Sequence, residues 1–451
     1  MTEILESTDL LERFGKLPQD RAPAWLQALR ATAAERFRRL GLPGPKEEEW
    51  RFTKLEPLTQ LAFERAHPDD GAQALATVEQ YSFGSEAAAE LVFVNGYFAP
   101  DLSRLADLPR GVQLSNFAQQ LKLPDTLLER HLGHYASVER HPFSALNTAL
   151  MNDGVVLYVP RNGVIERPIH LLFVTTIGDQ PTATYPRILI VAEENSQCSV
   201  VESYAGTAGV YFTNALIEIN AGPGAVIDHC KLQQESPDAF HLATLQAQLG
   251  RGANLISHNA TLGGKLTRND ITVALAGEGA QATLNGLVII GEDQHVDNHT
   301  LLDHAQPNCS SHEVYKHVLS DRATGVFKGK ILVRPGAQKT DAKQTNKSLL
   351  LSDLAIMNAM PALEIYADDV KCTHGSTTGP VDEEMIFYLR SRGISAQAAR
   401  HLLTYAFAAD ITRRIRVAPV RRRLEEFMAA QHDLPLDLRI TDLGRHDEAS
   451  R

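Results

Sequence analysis

Apolar residues change their period twice along this 451-residue chain. Near the N-terminus Trp25, Leu26, Leu29, Ala33 and Phe37 recur at helical spacing, and Gly41-Leu-Pro-Gly44-Pro stops the run. An acidic, loop-like stretch from Glu47 to Arg51 follows, then a short strand at Leu91–Gly96. A second helical stretch is predicted over about 114–151, interrupted by Pro142. From about residue 154 the pattern switches to short β-branched alternating runs, Val155–Val159, Ile169–Val174 and Ile188–Val191, with turn residues between them.

These runs repeat. Small residues that follow turn formers fall at Cys198, Ala225, Ala253, Ala280 and Cys309, at spacings of 27, 28, 27 and 29. A second series of turns lies midway, near Gly209, Pro237, Gly264, Gly291 and Asp321. Each midway turn leads into a strand: Val210–Asn220, Phe240–Leu249, Thr267–Ala276, His295–His304 and Gly325–Arg334. Two strands and two turns per period mark a solenoid, whose coils bury their apolar faces against one another. An antiparallel meander sandwich is the competing arrangement. Aligned small residues favour stacked corners, because a sandwich imposes no such register.

Helical periodicity returns after about residue 380. Glu383–Arg392 is amphipathic, Gly393 ends it, Ser395 can cap Ala396–Arg414, and Pro419 separates a last helix from Arg421 to about Gln431. The last twenty residues are polar and read as a frayed tail. The predicted fold class is mainly β with flanking helices: a right-handed parallel β-helix core over 154–380, between helical regions at 1–153 and 381–451.

Charge and cysteine content narrow the function. With 44 Lys plus Arg against 55 Asp plus Glu, the net charge is −11, which disfavours broad contact with nucleic acid or anionic lipid. The arginines at 413, 414, 416, 421, 422 and 423 form one local basic patch. The four cysteines, at 198, 230, 309 and 372, include no CxxC pair, so neither a disulfide framework nor a metal centre held by this chain alone is expected. The N-terminal sequence has no signal pattern, and no apolar run reaches the roughly 20 residues that span a bilayer. A cytoplasmic protein is expected.

Gly-rich pieces such as GPGAVI and GEGAQA recur at the repeat period and lack the GxGxxG spacing, so they read as corners. His295, His299, His304, His312 and His317 crowd a segment that also holds Asp297, Asp303 and Cys309. In a strand His295, Asp297 and His299 share one face and His304 takes the other. That set suits either iron or zinc, or side chains hydrogen-bonded along a solenoid. A second constellation runs Glu364-Ile-Tyr-Ala-Asp-Asp-Val-Lys-Cys372-Thr-His374-Gly. One residue separates Cys372 from His374, so a strand points both the same way, with Glu364 and Asp368 on that side unless the Asp pair bulges. Thiolate and imidazole are metal ligands, but two cannot complete a tetrahedral site; the missing donors would come from a partner chain.

The runs Gly325-Val-Phe-Lys-Gly-Lys-Ile-Leu-Val-Arg, Ala337-Gln-Lys-Thr-Asp-Ala-Lys-Gln, Asn346-Lys-Ser-Leu-Leu-Leu-Ser, Leu363–Gly375 and Phe387-Tyr-Leu-Arg-Ser-Arg-Gly-Ile, with His295-Val-Asp-Asn-His-Thr, together resemble the SufB/SufD family of iron–sulfur cluster assembly scaffolds. The likeness spans roughly 140–415. His374-Gly-Ser-Thr-Thr-Gly stands where SufB-type chains carry His-Glu-Ala-Thr, and their cysteine near Gln344-Thr-Asn-Lys-Ser is absent, so the SufD branch is the better match. The resemblance implies a non-catalytic scaffold that pairs with a SufB-like subunit and binds a SufC-like ATPase. It implies that an iron–sulfur cluster, or iron, is held transiently at the SufB interface, with no cofactor on this chain alone. By motif match His374, then Cys372, would serve there as metal ligands or proton handlers, and the region 383–431 would dock the ATPase. A homodimer of the isolated chain is also compatible. Two other readings remain: a SufB-like homodimeric scaffold, which the absent cysteine disfavours, and a β-helix carbohydrate-active enzyme, which would need clustered carboxylates at the repeat spacing.

Overall fold

A solenoid strand satisfies its backbone groups by pairing one coil away rather than with its sequence neighbour, and every strand of the repeat here does so. The computed structural model describes residues 7–18, 22–65, 71–105, 108–124, 126–178 and 180–431. Alternate strands go to two facing sheets of twelve and ten strands. Tyr211–Ala221 pairs in parallel with Phe240–Leu249, which pairs with Leu266–Leu275, and so on through His295–His304 and Thr324–Val333. The other sheet runs Gln197–Gly206, Val226–Gln234, Asn254–Thr261, Gln281–Ile290, Ser310–Leu319, Asp341–Leu350 and Lys371–Gly379. This is the β-solenoid that the repeat predicts; a meander would have paired consecutive strands antiparallel.

One corner fixes the register. Asn195, Gly224, Gly252, Gly279, Asn308 and Lys339 all have φ between 56° and 70°. This is the left-handed region that Gly and Asn enter most easily. Their N–H groups reach the next coil, as in Asn195 N–H to Pro223 O at 2.9 Å and Gly224 N–H to Arg251 O at 2.8 Å. The next residue in each coil, Ser196, Ala225, Ala253, Ala280, Cys309 and Thr340, is buried. Cys198 is not in this file, contrary to the sequence expectation. It lies two residues further on, level with Ile227, and Ser196 fills the small corner slot. Both are small residues near a turn, and only the left-handed Asn195 before Ser196 separates them.

Between the sheets runs a lumen of stacked side chains, of which Ile188, Ile217, Leu245 and Ile271 form one file. Room there is limited: a Cβ on Gly286 would lie 2.1 Å from the buried Tyr315 ring.

The N-terminal region is less helical than its periodicity suggests. Ala89–Val94 joins the ten-stranded sheet beside Ile169–Thr175, and Gln113–Asn116 pairs antiparallel with Val155–Val159. Pro142 interrupts nothing; it opens the helix Pro142–Leu150, where its missing N–H is one that a first turn leaves unpaired anyway. That helix packs against Ala24–Leu40. It is tied to the solenoid by Arg187, which bonds Asn147 and Thr148 and the fully buried Glu218 carboxylate. Glu218 also accepts the backbone N–H groups of Gly133, Tyr135 and Ala136 at 2.9–3.0 Å.

At the C-terminus the helices Ala396–Thr412 and Ala418–Gln431 cover the outer face of the ten-stranded sheet. Tyr405 and Ile411 meet Leu287, and Val420 and Leu424 meet Cys230 and Leu232. Ser395 caps the first of these, accepting Ala398 N–H at 3.2 Å. Pro419 sits inside the first turn of the second rather than ahead of it. The predicted frayed tail lies outside the described residues.

Gly286→Ala is expected to destabilise the fold by about 1–3 kcal/mol through overpacking against Tyr315. The urea midpoint reports this, and an unchanged midpoint would mean that the ring has room to turn aside.

Candidate functional site

The solenoid ends at Lys371–Gly379. On one side this strand pairs with Asp341–Leu350; on the other, among the described residues, no strand pairs with it. Cys372 is half-buried and packs against the lumen core beside its register partner Ala342. His374, two residues on and so on the same side, is exposed and stands one coil above the buried Gln344. Burial pushes the Cys372 thiol up, and Asp341 adds to the effect. The thiol–imidazole pair therefore sits at an open edge within reach of another chain.

Glu364 and Asp368 do not join it. Glu364 is in Ala362–Ile365, a strand of the opposite sheet, where it pairs with Lys330 at 2.6 Å. The chain bends between 366 and 370, so Asp368 lies in the bend and outside the Cys372 strand. The same end exposes Leu354, Ile356, Ile365 and Tyr366, apolar positions that strand periodicity alone did not single out.

The histidine-rich segment divides among four environments. His295, Asp297 and His299 do share the outer face of their strand, and His304 turns into the lumen, donating to or accepting from Ser311 Oγ at 2.8 Å. His317 is buried in the lumen, His312 is exposed on the other sheet, and Cys309 fills a corner. Asp303 pairs with Arg334. Among the described residues no group of three or more His, Cys, Asp or Glu is placed to hold a metal ion.

The outer-face trio instead anchors the acidic segment at 47–53. Asp297 accepts Arg268 Nη1 at 2.6 Å and Thr53 Oγ1 at 2.6 Å, and lies 2.9 Å from His299 Nε2. The Arg268 guanidinium stacks 3.8 Å from the Trp50 ring centre. Glu49 bonds His299 Nδ1 at 3.1 Å and, with Glu48, holds Lys328. Burial, the largest single effect, opposes the charge on His299, but the Asp297 carboxylate and the hydrogen bond to Glu49 together outweigh it and lift the imidazole to about 8. The hydrogen bond from His299 holds Glu49 at about 2 against its own partial burial. These residues form a structural latch.

With this geometry in view, comparison with known proteins gives a consistent result. The family described as "SUF system FeS cluster assembly, SufBD core domain" matches residues 173–407. The chain belongs to the SufBD family. The "SufBD protein N-terminal region" of that family matches residues 2–171. An iron–sulfur cluster assembly SufBD family protein of Synechocystis is 34% identical over 89% of this chain and 90% of its own. The iron–sulfur cluster assembly protein SufD of Escherichia coli is 33% identical over 84% and 86%, and that of Bacillus subtilis 28% over 94% and 97%. The chain is thus a SufD-like member of an iron–sulfur cluster assembly family.

The latch has a pH signature. His299 is raised above its ordinary 6.5, so its contribution is complete below that pH and is lost as pH rises through about 8. Glu49 is depressed from 4.5, so its contribution holds above that pH and fades as pH falls through about 2. Raising pH past the His299 transition should cost the latch about 2 kcal/mol. Protection factors of the Trp50 and Thr53 amides, with the base-catalysed intrinsic rate divided out, should fall over that rise in the native protein and stay level in His299→Gln. Protection that stays flat in the native protein would refute the assignment.

Proposed function

We propose that this chain is a non-catalytic cytoplasmic scaffold that pairs through its open solenoid end with a SufB-like subunit. A nascent iron–sulfur cluster is the cargo of that junction. The observation that carries this reading is the outer edge of Lys371–Gly379, with which no strand pairs among the described residues and which carries Cys372 and His374 on one side. An exposed strand edge offers a row of unpaired N–H and C=O groups to a partner strand. Two soft-to-borderline donors fall short of a metal site, and a second chain laid on this edge can supply the rest. Apolar Leu354, Ile356, Ile365 and Tyr366 around the same end give the contact an area to bury.

A SufC-like ATPase docks elsewhere, on the C-terminal helices. Within 383–431 the last two helices spend their apolar faces on the solenoid, whereas Glu383–Ser391 exposes Met385, Phe387 and Tyr388, with Phe387 72% accessible. Exposed aromatics of this kind are typical anchors of protein interfaces. The docking site within the region is therefore the helix Glu383–Ser391.

Co-expressed with both partners, the chain should elute in one complex. Elution as a self-pair that assembles clusters unaided would favour the homodimeric scaffold, since an unprotected edge can also accept a second copy. His374→Ala should lower cluster yield on the assembled complex while leaving its elution unchanged; undiminished yield would reduce the pair to packing. Phe387→Ala should weaken ATPase binding by about tenfold or more yet leave the SufB contact in place. Equal affinity in a pull-down titration would move the docking site off this helix.

A further inference from the structure

In the middle coils one wall of the lumen turns polar. Glu202, Lys231 and Asn259 are register partners on three neighbouring strands of the ten-stranded sheet, and His229 and Ser257 form part of the next file. All five are buried. The facing sheet supplies aliphatic side chains, Ile217, Leu245 and Ile271 among them, and one amide, Asn269. Between these walls lies a cavity with room for roughly one water molecule.

The polar groups on the wall are only partly paired. Tyr204 OH donates to Glu202 Oε2 at 2.6 Å, Lys231 Nζ donates to Asn269 Oδ1 at 2.5 Å, and His229 Nδ1 is 3.0 Å from Ser257 Oγ. Among the described residues neither Nδ2 nor Oδ1 of Asn259 has a hydrogen-bond partner. Glu202 Oε1 and His229 Nε2 lie 3.2 Å apart without the alignment of a hydrogen bond, so each keeps capacity for another partner. The Lys231 ammonium has three N–H groups, one of which serves Asn269. Burying an amide with both ends unpaired is costly, and native interiors rarely keep one.

The chemistry of this wall selects its ligand. An anion would lie against the Glu202 carboxylate, and a cation against the Lys231 ammonium. A hydrocarbon would pair with none of these groups. What fits is a neutral molecule of one heavy atom that can both donate and accept. We propose that the cavity is a binding site for a single water molecule, held by Lys231 and the Asn259 amide as donors and by Glu202 Oε1 and His229 Nε2 as acceptors. His229 accepts there when its Nδ1 carries the proton toward Ser257. Each of the four groups then gains a partner, as buried waters typically provide. Burial pulls Lys231 down to about 8, with Glu202 and Glu235 opposing, so at neutral pH the ammonium is kept and needs acceptors around it. The water is one of them, and it lets the solenoid keep a charge inside.

The test is an experimental structure of the native chain at a resolution that shows single waters. Density for one water is expected in the cavity, within hydrogen-bond reach of Lys231 Nζ, the Asn259 amide and Glu202 Oε1. A dry cavity, with Asn259 turned to bond a protein neighbour, overturns the proposal. So does an ion in its place: density that avoids the Glu202 carboxylate marks an anion, and density that avoids Lys231 a cation. Asn259→Leu then separates the readings by sign. With the water bound, the leucine displaces it and strands Lys231 and Glu202, so the urea midpoint should fall. In a dry cavity the leucine replaces an unpaired amide with hydrocarbon, and a raised midpoint overturns the proposal. The native density decides alone if the variant does not fold.

Discussion

The backbone of a parallel solenoid can be satisfied only by the coil before and the coil after, and this constraint organises the molecule. Both ends of the stack would otherwise be left unpaired. At the first end the chain covers itself. Tyr97–Phe98 lies antiparallel on Ala89–Val94, and Gln113–Asn116 on Val155–Val159, so the sheets close with hairpin-like strands. At the other end the chain passes through Lys371–Gly379 and leaves for the C-terminal helices, and among the described residues no strand folds back on it. The asymmetry leaves one end free for a partner, and the thiol–imidazole pair lies on that end.

Energetics separate holding from doing. The Arg187–Glu218 pair and the Arg268–Asp297–His299 group are buried ion networks, and they fasten the N-terminal region to the solenoid's outer face. Removing one member of such a pair strands a buried charge, so these sites resist change. The last coils invert this logic. Glu313, Gln344, Tyr315 and Asn346 are as deeply buried, yet their polar capacity is partly unspent where the stack opens.

Much of this was legible beforehand because a strand repeat writes its period directly into composition. The strand limits at Phe240–Leu249 and His295–His304 agree with the alternation to the residue. The readings that failed did so for local reasons. Pro142 and Pro419 look like breaks because sequence does not say whether a proline falls in a first turn or mid-helix. Cys198 passed for a corner because a small residue near a turn leaves the same trace one or two positions either side. Glu364 was placed beside Cys372 because the bend at 366–370 carries no glycine or proline to announce it.

The two-strand coil, its length, and the Cys372–His374 pair on one side of one strand can be read directly from the chain, since these follow from alternation and spacing within a few residues. Coil stacking made this strand the last of its sheet among the described residues, turned the crowded histidines four ways, and left Glu313 with no described cation paired to it. Those facts depend on which coil is stacked on which and on where the stacking stops. They are set by contacts between residues roughly thirty positions apart, beyond the reach of any local pattern.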